Sequence, residues 1–159
     1  MATSPRHWPV PDALAYLAGS GGVWHVERDV SDHLARQEGR FTGETRFTAR
    51  EDGPGLTQHE SGRFTWLGRT GPAERTLQFL PGEQAGTVDV RFGDGRPFHD
   101  LDLRHGHHLA GHPCAADHYR GEFEVLGPHR WRTVWRVSGP AKDLRLVTEY
   151  LRRTDRFPG

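Results

Sequence analysis

The chain has 159 residues, 34% of them hydrophobic, and 21 basic side chains against 21 acidic ones; at this size one domain can bury about 70% of its unfolded surface. No apolar run approaches the ~18 residues of a membrane span, Met1 to Val10 lacks the apolar stretch of a secretory signal, and the balanced charge offers no basic field for nucleic acid. A single cysteine, Cys114, excludes an intramolecular disulfide framework. The basic residues are 20 arginines and Lys142, and Ile and Asn are absent. That bias fits a GC-rich genome, because Ile, Asn and Lys use AT-rich codons, and the expected setting is the bacterial cytoplasm.

One short helix is predicted, opened by Pro11 and Asp12, filled by Ala13 to Ala18 and stopped by Gly19. From Val23 onward the pattern has period two. Trp24, Val26, Arg28 and Val30 share a face of the first strand, and Phe41, Gly43, Thr45, Phe47 and Ala49 a face of the second. Leu56 to Leu67 reads as a third strand, bent or bulged at Ser61-Gly62. Arg75 to Leu80, Thr87 to Phe92 and Phe98 to Arg104 follow, with a tight turn at Gly93-Asp94-Gly95. His105 to Asp117 has no period and reads as the longest irregular segment. His118 to Leu126, Arg130 to Ser138 and Leu144 to Arg152 alternate again, separated by Gly-Pro turns. Eight to ten strands with short turns and no crossover helices predict an all-β chain, an antiparallel up-and-down barrel, with a two-sheet sandwich as the alternative. The expected organisation is one domain: an N-terminal arm and helix over 1–21, a barrel over 22–153 and a tail over 154–159.

Gly22-Val23-Trp24, just after a short helix, resembles the G-x-W signature of the calycin superfamily, the lipocalins and their relatives. The resemblance implies a lipocalin-like barrel whose Trp plugs the closed end, with an Arg of the last strand, Arg152 or Arg153, packed across it. Three further segments resemble an uncharacterised bacterial family of small lipocalin-like domains: Phe98-His99-Asp100-Leu101-Asp102-Leu103, His112-x-Cys114-x-x-Asp117-x-Tyr119 and Gly139-Pro140-x-Lys142-Asp143. That likeness implies a fold and no activity. Nitrobindin-like haem barrels are a more distant comparison. Their haem-ligating His lies near the C-terminus, where Ala141 to Gly159 contains none.

Chemistry must come from the residues themselves. Phe98 to Tyr119 concentrates His99, His105, His107, His108, His112 and His118 around Cys114, side chains that suit zinc or copper. The spacing matches no zinc motif, and a solvated His-rich loop is the favoured account of it. A metal site at the barrel mouth from His99, His112 and Cys114 is the minority expectation, and no metal or cofactor is assigned. Asp100 and Asp102 share a face opposite the leucines, where Arg104 is their expected partner. No phosphate loop, dinucleotide fingerprint or nucleophile elbow is present.

The favoured function is binding of a small, partly apolar molecule inside the barrel. Its expected walls are Trp24, Phe47, Phe79, Phe92, Phe123, Trp131 and Trp135. Its polar anchors are Arg28, Arg75, His99, Tyr119 and Tyr150, because inward arginines are hard to bury without an acidic or polar partner. The competing reading is an enzyme on the same barrel, a cyclase, isomerase or hydrolase with His99 as general base, Tyr119 as hydrogen-bond donor and Cys114 as a further candidate. A purely protein-binding module would instead have a filled barrel and an exposed apolar patch. Expected partners are a small molecule, no nucleic acid and no membrane, in a monomer or homodimer.

Overall fold

Period-two alternation becomes ten antiparallel strands. The computed structural model describes residues 6–114 and 116–153, with Pro113 and Cys114 described by their backbone alone. Helix α1 (Ala13–Ala18) and a 3-10 turn at Gly19–Gly21 precede β1 (Val23–Asp32), β2 (Gln37–Ala49), β3 (Leu56–Trp66), β4 (Arg69–Pro81) and β5 (Val88–Phe92). The remaining strands are β6 (Pro97–Leu101), β7 (His107–Cys114), β8 (Asp117–Gly127), β9 (Arg130–Gly139) and β10 (Lys142–Arg152). The spatial order β6-β5-β4-β3-β2-β1-β10-β9-β8-β7 is a meander in which the first and last strands pair. That pairing, Trp24 opposite Arg152 through Asp32 opposite Leu144, rolls the sheet into a nearly closed barrel. No helix among the described residues is long and apolar enough to cross a membrane.

The barrel's remaining seam lies between β6 and β7 and is joined by side chains. The Asp102 N–H donates to His108 Nδ1 at 3.3 Å, so Nε2 carries the imidazole proton and donates it to the Asp100 carbonyl at 2.8 Å. Near the closed end the N-terminal arm crosses this side of the barrel: Trp8 N–H donates to the Val125 carbonyl (2.8 Å) and Val10 N–H to that of Leu103 (3.0 Å).

The floor is built around Trp24, which is wholly buried and donates its indole N–H to the Leu17 carbonyl at 3.0 Å. Asp12 caps α1 by accepting from the Ala15 N–H. This helix lies across the barrel end and buries Ala13 and Leu17 against the core. The Arg152 guanidinium lies 4.1 Å from the Trp24 ring centre and donates to the carbonyls of Gly19, Tyr16 and Pro128 at 2.7, 2.9 and 3.0 Å. Of the two candidate arginines, Arg152 lies across the floor; Arg153 turns to Glu44 at 3.1 Å. Gly22 has φ of 72°, and its carbonyl accepts from Phe47 N–H at 2.8 Å; a Cβ here would strike the Phe47 carbonyl.

Four expectations are corrected. The segment expected to be irregular contains β7, paired with β8 from His107 opposite Glu124 to Cys114 opposite Asp117. Its alternation is real but inverted in hydropathy, with Leu109 68% exposed and Ala110 8% exposed. β3 keeps an unbroken register through Ser61-Gly62, without a bulge. β4 starts at Arg69, because Leu67 and Gly68 both have positive φ (52° and 75°) and close a two-residue hairpin. The sixth strand also stops early, at Leu101, where Asp102 accepts from the Arg104 backbone and guanidinium and turns the chain.

Candidate functional site

The interior above the floor is incompletely filled. A cavity of about 120 Å³ is walled on one side by Phe98, Tyr119, Phe123, Trp131, Trp135 and Tyr150. Near the rim it adjoins a second chamber of about 270 Å³, bordered by Val30, Phe41, Phe64, Ala73 and Leu146; Arg28 and Arg75 line both. Together they enter the range of small-molecule pockets, ~300–1,000 Å³.

The aromatic wall is rigidly stacked. Trp131 lies parallel to Tyr150 with ring centres 3.7 Å apart, and its edge meets Trp24 of the floor at 6.0 Å. Both stacked residues are inward positions directly opposite each other on β9 and β10. Trp135 lies two inward positions along β9 from Trp131, past the buried Thr133, and covers Gly121, where any Cβ would come within 2.7 Å of its ring.

Between the chambers sits a charged cluster. Glu60, an inward residue of β3, is only 1% exposed. Arg75, directly opposite on β4, donates Nε to Glu60 Oε2 at 2.8 Å. Arg28 reaches across β2 from β1, placing Nη2 2.8 Å from Oε1 and 3.2 Å from Oε2. Oε1 receives no well-directed hydrogen bond despite that contact. Arg28 also donates Nε to Thr148 Oγ1 at 2.8 Å and Nη2 to Tyr150 Oη at 3.3 Å. Its side chain is 11% exposed, whereas that of Arg75 is 47% exposed at the rim. Burial opposes charge on Arg75, but the neighbouring Glu60 carboxylate outweighs it and holds the guanidinium pKa above its ordinary value. Two guanidinium groups thus share one carboxylate, leaving one positive charge uncompensated. Glu74, at the same rim, sits 3.3 Å from His59 on the outer face.

Two polar groups in the wall are also significant. His99, 8% exposed, packs between Phe98, Phe123 and Trp135. Burial lowers its pKa to about 4, so the ring is neutral near pH 7. Its Nδ1 lies 2.8 Å from the Asp100 carbonyl, which can only accept, so the proton is on Nδ1 and Nε2 keeps its lone pair. Trp131, 3% exposed, has a buried indole N–H with no hydrogen-bond partner among the described residues.

Of the residues singled out by sequence, Arg28, Arg75, Phe79, His99, Tyr119, Phe123, Trp131, Trp135 and Tyr150 line the inner cavity. Trp24, Phe47 and Phe92 are not in its lining. Trp24 is the floor, Phe47 packs edge-on to Phe79 at 5.2 Å, and Phe92 stacks on Phe98 at 4.4 Å. Cys114 ends β7, and its side chain lies outside the described residues. Among the described residues no group of three or more His, Cys, Asp or Glu is arranged to hold a metal ion. His107 instead stacks on His7 at 4.8 Å, and His108 bonds across the seam. Asp102 pairs with Arg104 at 2.8 Å, whose hydrogen bonds hold its carboxyl down at about 2. Sequence reasoning passed over Glu60. The signal was its parity: it shares the inward face of β3 with Leu56 and Gln58.

The chain belongs to a family of unknown function, DUF6314, whose sequence profile matches residues 20–152. No curated protein matches it by sequence. Among solved structures it is similar to the S-type phycobiliprotein lyase CPES from Guillardia theta, at 8% identity and a TM-score of 0.61, over 89% of this chain and 92% of the lyase. It is also similar to a protein of unknown function from the DUF3598 family of Nostoc punctiforme PCC 73102, at 13% identity and a TM-score of 0.58. That match covers 94% of this chain but 52% of the other, so the chain spans about half the length of the Nostoc protein. At these identities the likeness establishes the fold, a nearly closed antiparallel barrel consistent with the calycin-like expectation.

Proposed function

We propose that this protein binds a small, flat, partly apolar molecule carrying a carboxylate or comparable acidic group. The acidic group sits at Arg28 and Arg75 and the apolar body lies against Trp131, Trp135 and Phe123. The observation that carries the reading is the charge imbalance inside the barrel. Arg28 is almost fully buried, and it and Arg75 have only the single carboxylate of Glu60 between them. The surplus positive charge is shared with Arg75, half-exposed at the rim, and an anion brought there gains charge-assisted bonds from both guanidinium groups. Charge-assisted bonds from guanidinium would fix orientation, and burial of the aromatic body would supply most of the affinity.

An enzymatic reading rests on His99 Nε2, a free lone pair in a dry aromatic wall beside Tyr119. The low pKa makes that nitrogen a weak base near neutrality, so binding is the better-supported function.

The test compares 2-naphthoate with its neutral isostere 2-naphthamide by calorimetry. The naphthoate should bind more tightly, and Arg28→Leu should weaken it about tenfold or more while leaving the amide nearly unchanged. Equal affinity for the two, or naphthoate binding indifferent to both Arg28→Leu and Arg75→Leu, would overturn the reading.

A further inference from the structure

The balanced total charge conceals a local excess on the outer face of the barrel. Arg120 of β8, Arg136 of β9 and Arg145 of β10 all point outward, and the register sets Arg136 directly opposite both of the others. Three arginines thus stand abreast on adjacent strands, where like charges directly opposite are destabilising. The flanks of the row are uncharged: Gly111 of β7 is opposite Arg120, and Ser31 of β1 is opposite Arg145. Arg136 reaches one acid, Asp143, at 3.5 Å. Among the described residues the side chains of Arg120 and Arg145 have no hydrogen bond or ion pair. Codon supply accounts for the number of arginines but not for this register.

All three arginines line one groove of about 650 Å³, beside the apolar side chains of Leu109 and Val134. The two acids of the groove are engaged elsewhere. Glu122 and Glu124 hydrogen-bond each other, which draws the Glu122 carboxyl below its ordinary range and raises that of Glu124. His107 lies 3.8 Å from Glu122 and His7 3.9 Å from Glu124. With Asp143 set against one of the three guanidinium groups, about two positive charges remain, and a phosphate group carries nearly two negative ones. The guanidinium fork also matches a phosphate two oxygens at a time. An anion seated there turns the repulsion along the row into charge-assisted bonds.

We infer that this groove is a second binding site, for a phosphate group held by Arg120, Arg136 and Arg145, with the rest of the phosphorylated molecule against Leu109 and Val134. It is independent of the acid-binding reading of the interior. Leu146, the residue after Arg145, lines the inner cavity, so the barrel wall separates the two sites.

Calorimetry with sodium pyrophosphate tests the site, in about 150 mM sodium chloride to screen weak surface pairing. Pyrophosphate should bind one-to-one, and Arg136→Gln should weaken it about tenfold or more. Arg63→Gln, which removes an exposed arginine of β3, should change the affinity less than about twofold. A second readout needs no ligand: in phosphate-free buffer Arg136→Gln should raise the melting temperature, because it removes the middle charge of the row. Vesicles of phosphatidylcholine with and without phosphatidic acid separate two sources of the phosphate. Capture by the acidic vesicles alone, reversed by free pyrophosphate, assigns it to a lipid headgroup; pyrophosphate binding without capture assigns it to a soluble molecule. Absence of saturable pyrophosphate binding, equal losses in Arg63→Gln and Arg136→Gln, or a lowered melting temperature in Arg136→Gln would overturn the inference. A loss in Arg28→Leu as large as that in Arg136→Gln would place the anion in the interior and overturn it as well.

Discussion

The barrel contains the same three residue types twice, at its floor and in its cavity. At the floor Trp24, Arg152 and Tyr16 are packed together, with the guanidinium over both rings. In the cavity Trp131, Arg28 and Tyr150 are linked by stacking and a hydrogen bond. The floor is complete. Trp24 donates to Leu17, Arg152 to three backbone carbonyls, and Tyr16 donates its hydroxyl to the Gly127 carbonyl at 2.8 Å. Burial pushes the Tyr16 pKa up to about 12, fixing the phenol as a neutral donor. The cavity set is incomplete among the described residues: one indole N–H has no acceptor, and two guanidinium groups share one carboxylate. Residue type does not distinguish a structural plug from a binding site here. The distinction lies in whether the protein itself satisfies every polar group.

The largest effect should come from breaking the floor. Trp24→Ala removes a wholly buried indole and its hydrogen bond and should cost about 3–5 kcal/mol in urea denaturation. Trp131→Ala should cost clearly less, because its N–H has no bond to lose and its ring already borders a void. Equal losses would erase the distinction between the two sites. Next in size is Glu60→Gln, which leaves Arg28 buried beside a neutral amide and should cost on the order of 3 kcal/mol. The variant should regain more stability from added 2-naphthoate than the unaltered protein does, read as the shift in melting temperature.

His99 sharpens the comparison through pH. Its pKa falls from 6.5 to about 4 on folding, so the folded protein binds fewer protons than the unfolded chain. The stability associated with neutral His99 is therefore complete above the unfolded value and is lost as pH falls toward 4. The full loss is about 3 kcal/mol, with most of it gone by roughly pH 5. His99→Gln should flatten this part of the stability profile; an unchanged slope would show that His99 is not the titrating group. The smallest effects come from the two phenols. Tyr16→Phe loses a 2.8 Å bond at the floor and should cost about 1 kcal/mol, whereas Tyr150→Phe loses a 3.3 Å bond and should cost about half that. Tyr150→Phe should nonetheless weaken naphthoate binding two- to threefold, a change Tyr16→Phe should not produce.

Much of the barrel is legible in local pattern. Alternation with Gly-Pro turns marks the hairpins, and Gly22-Val23-Trp24 marks the floor. The inward faces of Arg28, Arg75, Trp131 and Tyr150 follow from the residues two positions away. β7 was hidden because His108, Ala110 and His112 occupy the alternate positions a strand normally gives to larger apolar residues, with Leu109 turned to solvent. The start of β4 was hidden because a leucine at positive φ is an uncommon hairpin residue.

What the sequence determined by itself is most of the strands and the face their side chains take, because backbone sterics and period-two burial are local properties. What the tertiary structure alone decided is which charges could stay inside. A carboxylate such as Glu60 is tolerated at 1% exposure only because the β3–β4 register sets Arg75 opposite it and the barrel's curvature brings Arg28 across β2. Likewise, both tryptophans present the same indole to the interior. Only the helix across the floor supplies Trp24 with a carbonyl and leaves Trp131 without one. Pairing of buried polar groups depends on partners distant in the chain, and chain closure puts those partners in place.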